Sequence, residues 1–151
     1  MKKMNLPLIL IYTVLICSGL SAEKADFSEH KKTFGKPEFN KHGIAFIVTP
    51  KGWVAVNRKK EILYYPFIYD NGPDPEKEGM IRFKENGKIG FANAKGRKVI
   101  PAKFDYAGQY EKGKAEYCIG CKEIKMGEHS MMDRKTGEWG IINTKGKKIS
   151  E

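Results

Sequence analysis

From Phe39 onward the apolar residues come in short runs, each closed by Gly, Pro, Asn or Lys. Gly43-Ile44-Ala45-Phe46-Ile47-Val48 is broken by Pro50-Lys51-Gly52. Trp53 to Asn57 resumes the run, Arg58-Lys59-Lys60 turns it, and Ile62 to Phe67 follows. Short β-branched and aromatic runs punctuated in this way predict antiparallel hairpins. No window downstream of residue 22 keeps helical spacing, so no helix is predicted there. Residues 23–38 are polar, lysine-rich and without period, and they predict a mobile lead-in.

The runs repeat. Trp53-Val54-Ala55-Val56-Asn57-Arg58-Lys59-Lys60, Ile89-Gly90-Phe91-Ala92-Asn93-Ala94-Lys95-Gly96 and Trp139-Gly140-Ile141-Ile142-Asn143-Thr144-Lys145-Gly146 share one pattern. In each, an asparagine stands four residues after the leading apolar residue and a lysine six after it. Gly43 lies ten residues before Trp53, and Gly79 ten before Ile89. Gly113 opens a third apolar strand, Lys114-Ala115-Glu116-Tyr117. The first two copies continue to a proline corner, Pro66-Phe67-Ile68-Tyr69-Asp70 and Pro101-Ala102-Lys103-Phe104-Asp105. The expected domain therefore spans 39–151 in three units, 43–78, 79–112 and 113–151. The third carries an insertion before Trp139 and stops short of its proline corner, as a terminal repeat with no following neighbour would.

These residues resemble the WG β-repeat family, named for its Trp-Gly pair. The likeness rests on Trp139-Gly140 through Ile149, and on Ile89-Gly90-Phe91 through Pro101 and Phe104-Asp105-Tyr106. Ile89 replaces tryptophan in the middle unit, and Val54 replaces glycine in the first. The repeat-defining positions are Trp53, Asn57, Ile89, Gly90, Asn93, Gly96, Trp139, Gly140, Asn143 and Gly146. The resemblance implies an all-β fold of tandem antiparallel hairpins forming a small stacked array. It implies no general catalytic activity, and so a binding or scaffolding role.

The N-terminus changes the compartment. Lys2 and Lys3 precede an apolar run over residues 6–16, followed by Ser18, Gly19, Ser21 and Ala22. That order reads as a signal peptide over 1–22, placing the protein in the periplasm or outside the cell. Anchoring as a lipoprotein through Cys17 is the alternative, although Ile16 is large for that processing. No later apolar stretch is long enough to span a bilayer, so an integral membrane protein is not expected. The full chain carries a formal charge of +10, and loss of residues 1–22 removes two lysines and no acid, leaving +8. For an exported chain that balance points to an unidentified protein or an anionic envelope component as partner, with no nucleic acid expected. Lys59, Lys60, Lys95, Lys98, Lys145 and Lys147 fall at the predicted turns and would form a basic ridge if the turns align.

Candidate chemistry gathers in the insertion. Cys118-Ile119-Gly120-Cys121 holds the only cysteines after residue 22, an even pair that suggests a disulfide in an oxidising compartment. A metal site using Cys118, Cys121 and His129, or thiol-redox chemistry, is the alternative, though a closed zinc site needs a fourth ligand. Covalent haem attachment is disfavoured because Lys122, not histidine, follows the second cysteine. Gly127-Glu128-His129-Ser130 places three reactive groups side by side, but neighbours on an extended chain face opposite ways, so a surface loop is expected. Asp70-Asn71-Gly72-Pro73-Asp74-Pro75-Glu76 lacks calcium-loop spacing and reads as a connector. No catalytic residue and no cofactor are assigned.

Overall fold

The computed structural model describes residues 21–150. The expected signal peptide and Cys17 lie almost wholly or wholly outside them. One short helix, α1 (Ser28–Phe34), precedes fourteen strands. They are β1 (Ile44–Thr49), β2 (Gly52–Asn57), β3 (Ile62–Pro66), β4 (Ile68–Tyr69), β5 (Gly72–Pro73), β6 (Met80–Glu85), β7 (Lys88–Asn93), β8 (Lys98–Phe104), β9 (Tyr106–Ala107), β10 (Lys114–Ile119), β11 (Glu123–Met126), β12 (His129–Met132), β13 (Glu138–Asn143) and β14 (Lys148–Ile149). Six strands form one sheet in the order β1-β2-β3-β6-β7-β8, and four form a second in the order β14-β13-β10-β9. Every paired strand runs antiparallel. The fold is the all-β hairpin repeat that the sequence pattern predicts.

The recurring asparagine holds the recurring turn. Asn57 Oδ1 accepts the N–H groups of Lys59 and Glu61, Asn93 Oδ1 those of Lys95 and Arg97, and Asn143 Oδ1 those of Lys145 and Lys147. A short amide side chain satisfies two turn donors that no strand can reach. The fourth residue of each turn, counted from the asparagine, has positive φ: Lys60 at 65°, Gly96 at 77° and Gly146 at 71°. A fourth turn of this kind precedes the first unit, where Asn40 Oδ1 accepts His42 and Ile44 N–H and Gly43 has φ 76°.

The Trp-Gly pair has a packing reason. Gly90 stands opposite Phe83, and Gly140 opposite Tyr117. A Cβ on Gly140 would lie 2.8–3.0 Å from the Tyr117 ring and hydroxyl. In the first unit the corresponding pair is Val54 opposite Ile47, both fully buried. Two mid-sized aliphatic residues fill the space that elsewhere holds an aromatic ring over a glycine, so Val54 is a compensated departure.

Within the segment 23–38, expected as a mobile lead-in, residues 23–34 pack on the first hairpin as a cap. Ile62 N–H bonds Glu23 O at 2.9 Å, and Ala25 N–H bonds Lys60 O at 2.8 Å. Ala25 and Phe27 join Ala45, Ile47, Val54 and Val56 in one core cluster. The helix, also unexpected, follows from Phe27, His30 and Phe34, whose spacing of three and four puts them on one face. Asp26 accepts Ser28 N–H at its start, and Gly35, φ 84°, ends it. The packing logic is that of a repeat array. A Cβ on Gly96 would lie 2.6 Å from Leu63 and 2.9 Å from Ile44 of the preceding unit, and one on Gly146 would lie 3.1 Å from Ile100. Among the described residues no unit precedes the first, and its turn carries Lys60, which lies over Phe27 at 5.3 Å instead. The lead-in thus covers the first repeat's open face.

The acidic connector is also more than a loop. Asp74, 2% exposed, takes a two-pronged ion pair from Arg82, Nε to Oδ2 at 2.8 Å and Nη2 to Oδ1 at 2.7 Å. Arg82 also donates to Ala107 O and lies over the Phe67 ring, and Gln109 donates to Asp74. All three guanidinium nitrogens and both carboxylate oxygens take part in a hydrogen bond, as a buried charge requires. The pair ties the residue 70–76 connector to β6 and β9.

Candidate functional site

The two tryptophans at equivalent repeat positions have different surroundings. Trp139 is half-buried: Arg134 lies 4.0 Å over its ring, Tyr106 packs at 5.5 Å, and its indole N–H donates to Thr136 O at 2.9 Å. Arg134 is held there by a two-pronged pair with Glu116, so the inserted segment returns to cover this residue. Trp53 meets Phe34 at 5.4 Å and His30 at 6.1 Å, remains half-buried, and its indole N–H has no partner among the described residues. Ile89, the third equivalent, is core at 3% exposed.

Trp53 and Phe46 line two neighbouring clefts. One, of about 390 Å³, includes Glu38, Ile44, Pro73, Glu76 and Ile81. The other, of about 360 Å³, includes His30, Phe34, Lys36 and Glu38. The groove between α1 and the first hairpin is therefore apolar at its floor, with Glu38 and Glu76 on the rim of the first cleft and Lys36 beside Glu38 in the second. Phe34 is 57% exposed at the helix end.

The outer edge of β1 runs along this groove. Ile44 N–H is taken by Asn40 Oδ1, and Ile44 O accepts Asn40 N–H at 2.8 Å. Val48 N–H donates to His30 Nδ1 at 3.2 Å. Alternate residues of a strand direct their backbone groups to the same side. Phe46, between them, thus aims its N–H and C=O at the open edge, and among the described residues neither has a partner there. Burial lowers the His30 pKa, which keeps the ring neutral and Nδ1 able to accept.

Cys118 and Cys121 are both buried and stand as free thiols. The Cys118 thiol is pushed up to about 12, by burial first and by its contact with Cys121 second. Such a thiol is a poor nucleophile at neutral pH. The metal reading does not fit the geometry. His129 pairs with Met126 in the separate β11–β12 ribbon, and no cluster of three or more His, Cys, Asp or Glu suited to a metal exists among the described residues. Where a surface loop is expected at Gly127-Glu128-His129-Ser130, Gly127 and Glu128 form the exposed turn of that ribbon and His129 and Ser130 begin β12, with all three of the reactive side chains exposed. The ridge lysines Lys59, Lys60, Lys95, Lys98, Lys145 and Lys147 are exposed at the three asparagine turns. Lys98 pairs with Glu85 at 2.6 Å. Among the described residues no helix is long and apolar enough to cross a membrane.

His30, Phe34, Glu38, Phe46 and Glu76 were not singled out by the sequence. The helical spacing of Phe27, His30 and Phe34 was the signal for two of them. A vacant strand edge leaves no such trace, because it depends on what fails to pair.

Comparison with known proteins matches residues 55–88 and 89–120 to the family model described as WG containing repeat. No curated protein and no solved structure matches the chain. Each matched window begins in the second strand of a hairpin and ends near the close of the next unit's first strand or just after it. Trp139-Gly140 lies beyond the matches, in the copy interrupted by the β11–β12 ribbon. With its asparagine turns, its aromatic-over-glycine pairs and two matched copies, the chain carries tandem repeats of the WG β-repeat type over residues 55–120.

Proposed function

We propose that the protein is a non-catalytic binding module of the bacterial cell envelope. In this reading the repeat array is the scaffold, and the groove beside β1 takes an extended segment of a partner protein. One observation carries it: the Phe46 backbone pair faces an open edge between the Asn40 and His30 plugs, beside the half-buried Trp53. An incoming strand can bond Phe46 while an apolar side chain lies on Trp53. A basic side chain in that segment would meet Glu38 and Glu76, an acidic rim on a chain of net charge +10. The family is not known for enzymatic activity, which supports the non-catalytic part of the reading. Export rests on Lys2-Lys3, the apolar run over 6–16 and the small residues after it, with attachment through Cys17 as the alternative.

A photo-crosslinking residue at position 34, introduced into the full chain in its own cell, tests the reading. A discrete adduct with a protein is expected, abolished by Trp53→Ala and kept by Tyr69→Ala, a change at an exposed aromatic outside the groove. An adduct indifferent to Trp53→Ala sinks it.

A further inference from the structure

We propose that a second cleft, between the Asn40 and Asn57 turns, is a binding site for a phosphoryl group. This site stands apart from the β1-edge groove and does not depend on it. The cleft, of about 420 Å³, is lined by Lys41, His42, Gly43, Asn57, Arg58, Lys59 and Glu61. Three permanent cations and an imidazole therefore converge on one concavity, whereas Lys95, Lys145 and Lys147 sit on other turns. The single lining carboxylate is already engaged. Asn57 Nδ2 donates to Glu61 Oε2 at 2.6 Å, and Lys24 Nζ lies 3.7 Å from Oε1.

Arg58 is held in place before any ligand arrives. Its guanidinium lies 4.9 Å over the Phe39 ring. Its side chain also packs on Gly43, where an added Cβ would come within 3.2 Å of Nε. A stacked guanidinium keeps its N–H fork free and pays little ordering entropy on binding. Both walls are asparagine-locked turns, so Lys41, His42 and Lys59 project from a rigid frame. A fork plus several point cations suits a tetrahedral, multiply charged oxyanion better than a planar carboxylate of single charge.

The test is titration of the isotope-labelled full-length protein with inorganic phosphate at constant ionic strength, read by amide shifts. Saturable shifts confined to Lys41, His42, Gly43, Arg58 and Lys59 are expected. Arg58→Gln should weaken binding about tenfold, the scale of losing a charge-assisted pair. Lys41→Gln is the second variant, and Arg97→Gln, an equal loss of charge on another turn, should change nothing. Glycerol phosphate and vesicles of equal parts phosphatidylglycerol and phosphatidylcholine then separate the sources. Tighter binding of the vesicles, lost in Arg58→Gln, assigns a lipid headgroup, and equal or tighter binding of the soluble ester assigns a free phosphate compound. No saturable shift, shifts shared by Lys95 and Lys145, or equal response to acetate would overturn the site.

Discussion

Substituting alanine at the two central glycines separates two kinds of crowding. At Gly90 the added Cβ would lie 2.6 Å from Ile100 O and 2.7 Å from Ala102 N, both backbone of β8, as well as 2.7 Å from Phe83 Cε1. Comfortable non-bonded contact needs roughly 3.5 Å, so β8 would have to retreat by nearly 1 Å. Gly90→Ala should therefore cost about 3 kcal/mol, the upper range of overpacking. At Gly140 all three close contacts are to the Tyr117 side chain. A ring can tilt where a backbone cannot, and about 1–2 kcal/mol is expected for Gly140→Ala. The decisive comparison is a pair of double-mutant cycles by urea unfolding. Tyr117→Leu alone costs about 2–3 kcal/mol through the void it leaves, but it also removes every clash at position 140. The Gly140→Ala/Tyr117→Leu double variant should thus recover about 1 kcal/mol or more relative to the sum. Phe83→Leu cannot relieve the backbone clashes at Gly90, so that cycle should couple more weakly, within about 0.5 kcal/mol. An additive Gly140 cycle, or a Gly90 cycle coupled as strongly as it, would refute the packing account of the Trp-Gly pair.

Arg82→Met leaves the Asp74 carboxylate buried without its partner and should cost about 3–5 kcal/mol by chemical unfolding; a loss below about 1 kcal/mol would show that Asp74 is not relying on it. His30 and Asp105 both have lowered pKa values, His30 through burial and Asp105 chiefly through the Lys88 hydrogen bond. For each, the unfolded state binds more protons, so stability is full above the ordinary value and falls on acidification. His30→Gln should flatten the fall below pH 6.5, and Asp105→Asn the fall below pH 3.8, in unfolding followed against pH. In the reduced folded protein Cys118 should alkylate far more slowly than in urea, as its raised pKa requires. On protein recovered from the envelope, a thiol count of zero would support a Cys118–Cys121 bridge formed after export, and two free thiols would contradict it.

The regular part of the fold was legible because each repeat carries its own instructions. Asn57, Asn93 and Asn143 mark turns by side-chain chemistry, and the short apolar runs mark strands by period. Three features were not legible, each for a physical reason. The cap over residues 23–34 buries only a few side chains, so its helix is too short for periodicity to outweigh a lysine-rich composition. The Asp74–Arg82 pair joins residues eight apart across a turn, and nothing local distinguishes a buried aspartate from the exposed acids beside it. The groove depends on Phe46 lacking a neighbour. Trp53 marks the repeat by its spacing, but its place beside the groove follows from the packing of His30 and Phe34 of α1 against it.

Hydrogen exchange at the Phe46 amide bears most directly on the proposal that β1 offers an open edge. In the free protein Ile44 and Val48, held by Asn40 and His30, should be protected, while Phe46 between them exchanges rapidly. In complex with the captured partner, the Phe46 amide should become protected while the distant Asn143 turn is unchanged. A Phe46 amide already protected in the free protein, or one still exchanging rapidly in the complex, would contradict binding by strand addition at this edge.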